Sequence, residues 1–181
     1  VEHNSILVRY SNDFSIWDLE SVNHYKDQTD IFFTCHEFSY NKIAEAYEPY
    51  LGLIRQMFHK YCSGTLEEFM EECDVYKLQR PVFESYFEKG FCERTEQILI
   101  DEVEYEQERM RNSIVTMLQK LSEIRPVVIV LNRFQLASKS TMQLSNSLLQ
   151  VKNKNIGIVL GVNDVQSIPE FAHEEWDAIC E

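Results

Sequence analysis

Two uninterrupted apolar runs, Val127–Leu131 (VVIVL) and Ile156–Val162 (IGIVLGV), constrain the fold of this chain more than any other feature. Neither alternates apolar with polar residues, as a strand with one face in water would. Such runs belong to central strands of a parallel sheet, buried on both faces. Two further runs, Ile6–Tyr10 and Asp30–Cys35 (DIFFTC), are bounded by polar stretches and also read as buried strands. Between them Ser15 is placed to cap a helix whose apolar positions Ile16, Leu19 and Val22 repeat every three residues. Strand, helix, strand is the opening of a parallel α/β sheet.

The middle of the chain is helical in pattern. Asn41–Tyr61 carries an apolar stripe of Ile43, Tyr47, Tyr50, Leu51, Ile54 and Phe58, interrupted by Pro49. A proline there removes a backbone donor, so the helix either begins near Pro49 or bends at it. Gly64, Pro81 and Gly90 punctuate two short helices, Leu66–Tyr76 and Val82–Lys89. Thr65 and Glu68 have the spacing of a capping box. Thr95–Ile124 is the longest periodic segment, acidic early and basic late, which suits the helix dipole. Ser138–Lys152 and Ser167–Cys180 complete the helices, the latter with Pro169 in its first turn.

Net charge is −13, from 30 acids against 17 bases, so the long-range field repels phosphate backbones and anionic lipid surfaces. Nucleic acid and membrane are therefore not expected partners. The five cysteines are odd in number and contain no CxxC pair, which argues against a disulfide framework or a zinc ribbon and fits a reducing cytoplasm. No apolar run approaches the roughly 20 residues of a membrane span. A first residue other than methionine is what a piece of a longer polypeptide would show.

Three phrases, in order, resemble the signal-transducing (STAND-type) branch of AAA-like P-loop ATPases. Cys35-His36-Glu37 followed by Tyr47-Glu48-Pro49-Tyr50-Leu51 resembles that family's segment after its second strand, where a PYxPL phrase opens a helix. Val127–Leu131, continuing through Thr141 to Leu149, resembles the Walker B strand and its following helix. Ile156–Asp164 (IGIVLGVND) resembles the sensor strand. The resemblance spans most of the chain outside roughly 63–123. It implies a three-layer, P-loop-NTPase-like domain over 1–181 with a mostly parallel sheet and a helical insertion at 63–124.

The same resemblance fails wherever the family's chemistry resides. A phosphate cradle needs glycines that let backbone N–H groups converge, and a lysine to meet the charge. Here the first glycine is Gly52 and the first lysine Lys26. With the loop at 11–18, its motif places hold Ser11, Ile16, Trp17 and Asp18. Asn132 and Arg133 stand where paired carboxylates would hold magnesium, and no Asp or Glu occurs from Ile124 through Asn163. Asn163 stands at the sensor arginine position, and after Lys154 there is no Lys or Arg. Phosphoryl transfer rests on positioned positive charge and metal, so nothing remains to stabilise its transition state. Ser11, Asn12, Asp13, Asn132, Arg133 and Asn163 are thus expected to form a vestigial nucleotide pocket, with no catalytic residue, metal or cofactor.

Other constellations are expected to be structural. His59 and Cys62 supply two ligands where a zinc site needs four. Glu67, Glu68, Glu71 and Glu72 lack the pattern of a calcium loop. Asp13, Asp18, His24 and Asp27 have unremarkable spacing and read as solvated side chains, and Ser145 and Ser147 lack a glycine elbow. Tyr40, Tyr47, Tyr50, Phe58 and Tyr61 cluster at helical spacing, as core residues do. A phosphoacceptor domain is disfavoured because Asn132, not an aspartate, ends the central strand.

The expected function is a non-catalytic, ATPase-like regulatory or scaffolding module of a larger cytoplasmic signalling protein. Its partners would be other domains of the same polypeptide or other proteins. The alternative is an active ATPase whose P-loop lies upstream of Val1, in which case ATP and magnesium would bind.

Overall fold

A computed structural model describes residues 5–10, 16, 20–26, 28–39, 46–89, 103–151, 153–163 and 173–180. The four apolar runs become β1 (Ser5–Tyr10), β2 (Phe32–Glu37), β3 (Val127–Asn132) and β4 (Ile156–Asn163). They form one sheet in the order β1-β4-β3-β2, and every neighbouring pair is parallel. The two runs without alternation are the two inner strands, where both faces must be apolar. Every residue of β3 is buried, and so is every residue of β4 except Gly157.

Register assigns the faces. Val8, Gly161 and Tyr10 share one face with Val159, Val130 and Val128, while Leu7, Leu160 and Leu131 share the other. Helix α1 (Glu20–Lys26) covers the first face through Val22, which clusters with Ile16, Val128, Val130 and Val159. This helix is shorter than the periodicity predicts. Ile16 does not belong to it but lies fully buried against the sheet, and Ser15 and Leu19 are outside the described residues. β2 also runs further than expected, to Glu37, because its pairing with β3 continues to Asn132.

β1 is the less protected edge. Ile6 is 48% exposed and Leu7 38%, and the two point to opposite faces, so the strand is open on both sides. Helices α6 (Lys139–Val151) and α7 (His173–Cys180) pack against each other. Glu175 joins them, accepting from Gln143 Nε2 at 3.0 Å and pairing with Lys139 Nζ at 3.1 Å. Burial alone would push its carboxyl up, but these partners hold it below the usual range. Its contribution to stability is therefore present above the ordinary carboxylate pKa and is lost as pH falls through the lowered one. Ser167 and Pro169, expected in this last helix, lie outside the described residues.

The chain divides into two compact units, 1–48 with 122–181, and 49–121. The second contains most of α2 (Glu48–Tyr61), α3 (Leu66–Glu72), α4 (Arg80–Lys89) and most of α5 (Val103–Ile124). Pro49 begins α2 rather than bending it, in the first turn where its missing donor is not needed. Tyr40 and Ile43, upstream of it, are outside the described residues. The expected capping box is present: Glu68 N donates to Thr65 Oγ1 at 3.2 Å, and Thr65 N donates to Glu68 Oε2 at 2.8 Å.

α3 stops at Glu72, short of the expected Tyr76, because the chain turns left-handed at Asp74 (φ 54°). Asp74 N then donates to Glu71 O at 3.0 Å and Val75 N to Met70 O at 2.9 Å, which closes the helix end as a Schellman motif. Phe58 packs on Phe69 and Phe87 at centroid distances of 5.2 and 5.5 Å. Buried Gln79 receives Ser113 Oγ at 3.1 Å and donates to Glu106 O at 3.2 Å. Replacing Thr65 by alanine is expected to cost about 0.5–2 kcal/mol of helical-unit stability, read by chemical denaturation. The hydrogen bonds from Thr65 hold the Glu68 carboxyl below its usual range. The cap is therefore expected to weaken as pH falls through that lowered pKa, and Thr65→Ala should reduce this acid dependence without removing it, because the backbone N–H of residue 65 still donates to Glu68.

Candidate functional site at the carboxyl edge of the sheet

In open α/β sheets, ligands approach the carboxyl ends of the strands, where loops and helix starts converge. Here that edge is formed by Tyr10 of β1, Asn163 of β4, Asn132 of β3 and Glu37 of β2. Register places Tyr10 beside Asn163 and Asn132 beside Glu37.

Side chains close the edge. The Tyr10 hydroxyl donates to Asn132 Oδ1 at 2.5 Å, its ring reaching past β4 to β3. Gly161 of β4 makes room for this crossing: a Cβ there would stand 3.3 Å from Tyr10 Cε1, 2.9 Å from Asn132 Oδ1 and 2.6 Å from Ile16 Cδ1. Ile16 sits in the connection between β1 and α1 and is fully buried. An isoleucine thus covers the sheet where the resemblance places a phosphate loop.

The polar groups satisfy one another. Asn132 Oδ1 also accepts from Arg133 N at 3.0 Å, and buried Gln135 accepts from Asn163 N at 3.4 Å. Arg133 is left-handed (φ 54°, ψ 43°) and opens a single turn of 3-10 helix at Phe134–Leu136. Its guanidinium Nε lies 3.3 Å from Glu37 Oε1, both side chains being nearly half exposed. Such a pair contributes roughly 0–1 kcal/mol, and it offsets the Arg133 charge at the edge. Burial raises the Tyr10 phenol above its ordinary pKa, with Arg133 pulling the other way. The phenol therefore remains a hydrogen-bond donor at neutral pH.

Of the expected pocket residues, Asn132, Arg133 and Asn163 come to this one edge. The Asn163 backbone N–H donates to Gln135 Oε1, and Ser11, Asn12 and Asp13 lie outside the described residues. Tyr10, Gln135, Glu37 and Gly161 complete the cluster and were not expected there, and Ile16, which the resemblance put in the phosphate loop, joins them as a buried plug. Gly161 carried a readable signal, because a glycine inside an apolar strand marks a close approach of another group.

The remaining constellations are built into the structure. Cys35 and His36 lie on opposite faces of β2, so they form no thiol–base pair. Burial, then Glu37, pushes the Cys35 thiol up to about 11. His36 stacks edge-on against Phe38 at 4.6 Å. His59 leans toward the rings of Phe58 and Phe87, and no group of three or more metal-ligating side chains occurs among the described residues. Ser145 Oγ donates to Thr141 O at 2.8 Å and Ser147 Oγ to Gln143 O at 3.0 Å, each turned back onto its own helix. His24 pairs with Gln28 at 2.6 Å, and Asp13, Asp18 and Asp27 lie outside the described residues. Among the described residues no helix is long and apolar enough to cross a membrane. No protein-family model, curated protein or solved structure matches the chain.

Proposed function

We propose that this chain is a non-catalytic, P-loop-NTPase-like regulatory or scaffolding module of a larger cytoplasmic signalling protein. The observation that carries this reading is the closed carboxyl edge, with Ile16 seated over Gly161 and the Tyr10 hydroxyl bonded to Asn132. A phosphate group needs backbone donors, cations or a metal at that place. It meets a buried isoleucine and an aromatic ring instead. Strand order supports the likeness to the ATPase fold: β3, the counterpart of the Walker B strand, lies inside the sheet beside β4, the counterpart of the sensor strand. Asn132 and Asn163, which stand where the resemblance expects Walker B and sensor chemistry, end neighbouring strands, and both lack that chemistry.

A scaffolding role also accords with the helical unit. Leu78 is 73% exposed, and two residues before it Tyr76 joins Tyr105 on either side of Arg109, whose guanidinium lies 4.1 Å from each ring centroid. Tyrosine, arginine and exposed leucine on a fixed turn have the composition of a protein-binding surface.

Calorimetric titration with ATP and magnesium tests the proposal. No saturable heat is expected through the millimolar range. Saturable micromolar binding, abolished by Asn132→Ala, would instead support an active nucleotide site and overturn it.

A further inference from the structure

A groove of about 220 Å³ opens at the other end of the sheet, beside the amino-terminal halves of β3 and β4. Its floor is Val128, Gly157 and Val159, on the face that α1 covers further along the strands. Gly157 brings no side chain, and that leaves the depression in the floor. Ile6 and Tyr25 form the sides, and the exposure of Ile6 shows that its apolar surface is left uncovered here. Lys154 and Asn155 stand at the rim.

The polar groups at this groove are unlike those at the carboxyl edge. The Lys154 ammonium, the Asn155 carboxamide and the Tyr25 hydroxyl have no hydrogen-bond or ion-pair partner among the described residues. The backbone around them is satisfied, with Val127 N donating to Asn155 O at 2.8 Å and Asn155 N to Asn153 Oδ1 at 2.9 Å. An apolar floor with a few unpartnered polar groups at its mouth is the general form of a small-molecule site. The volume is below the roughly 300–1,000 Å³ of drug-sized sites, so the occupant is small.

We infer that this groove binds a small amphipathic carboxylate, its alkyl chain or ring on Val128, Gly157 and Val159 and its carboxylate against Lys154. Charge complementarity selects the anion. An ammonium bordering apolar surface gains more from a carboxylate than from water, and Asn155 and Tyr25 can donate to the second oxygen. The chain's overall negative field slows the approach of an anion, but at physiological salt it is screened beyond about 8 Å while the contact itself is not. The groove lies at the opposite end of the strands from Tyr10 and Asn132. Its occupancy is therefore independent of the ATPase-like reading.

Titrating octanoate into the isotopically labelled protein, followed by amide NMR, tests this. Saturable shifts are expected at residues 154–159 and 22–31, with octan-1-ol binding more weakly than octanoate. Lys154→Gln should weaken octanoate binding about 5- to 10-fold. Gly157→Val should abolish it by filling the floor. Should Gly157→Val fail to fold, Lys154→Glu at an exposed position serves in its place and must also abolish binding. Non-saturating shifts, octanol binding as tightly as octanoate, or unchanged affinity in the Lys154 variants would overturn the inference.

Discussion

Ile16→Ala is expected to destabilise the sheet unit by about 2–5 kcal/mol, the range for emptying a buried aliphatic site that cannot collapse. The site cannot collapse because its floor is Gly161 and its walls are Tyr10 and Asn132, which are fixed to each other by a 2.5 Å hydrogen bond. Thermal unfolding would read the loss as about 2–4 °C per kcal/mol for a chain of this size. The variant also probes the proposed function. Opening a cavity at the carboxyl edge adds no donor, cation or metal ligand, so ATP should still not bind. A variant that lost stability and gained magnesium-dependent ATP binding would show that Ile16 plugs a working site rather than replacing one.

The second large effect is at Gly161, where alanine is expected to cost about 1–3 kcal/mol by overpacking. The added Cβ would meet Ile16 Cδ1 at 2.6 Å and Asn132 Oδ1 at 2.9 Å, both closer than packed atoms allow. Relief by rotating Ile16 is blocked because the residue is fully buried. Ile16→Val removes the nearest methyl and by itself costs only about 0.5–1.5 kcal/mol. The double variant should therefore be more stable than the sum of the single losses predicts, by roughly 0.5 kcal/mol or more. A strictly additive cycle, measured by denaturant unfolding, would show that the two residues do not oppose each other across the edge.

The legible and illegible parts of this chain differ in where their information lies. β3 and β4 could be read because burial on both faces leaves a continuous apolar run, and the Thr65–Glu68 cap because it is a local pattern. The end of α3 was misplaced because its stop is conformational: Asp74 turns left-handed, and neither glycine nor asparagine announces it. At the candidate site, Asn132, Arg133 and Asn163 followed from strand ends. The contact of Tyr10 and Ile16 with Gly161 did not, because only the β1–β4 pairing brings them together, and that pairing is invisible in local sequence.

That pairing also sets an order of assembly. Ser5 is in register with Ile158, so β1 finds its place only after the long stretch of chain between them is available. Contacts of such long sequence separation form late and slowly, because the loop they close is costly. The helical unit, whose capped and closed helices make neighbouring contacts, can form before them. During synthesis β1 must wait with Ile6 and Leu7 uncovered, the interval in which an unpaired strand is open to wrong partners. Pulse-labelled hydrogen exchange during refolding should find the amides of β1 protected last.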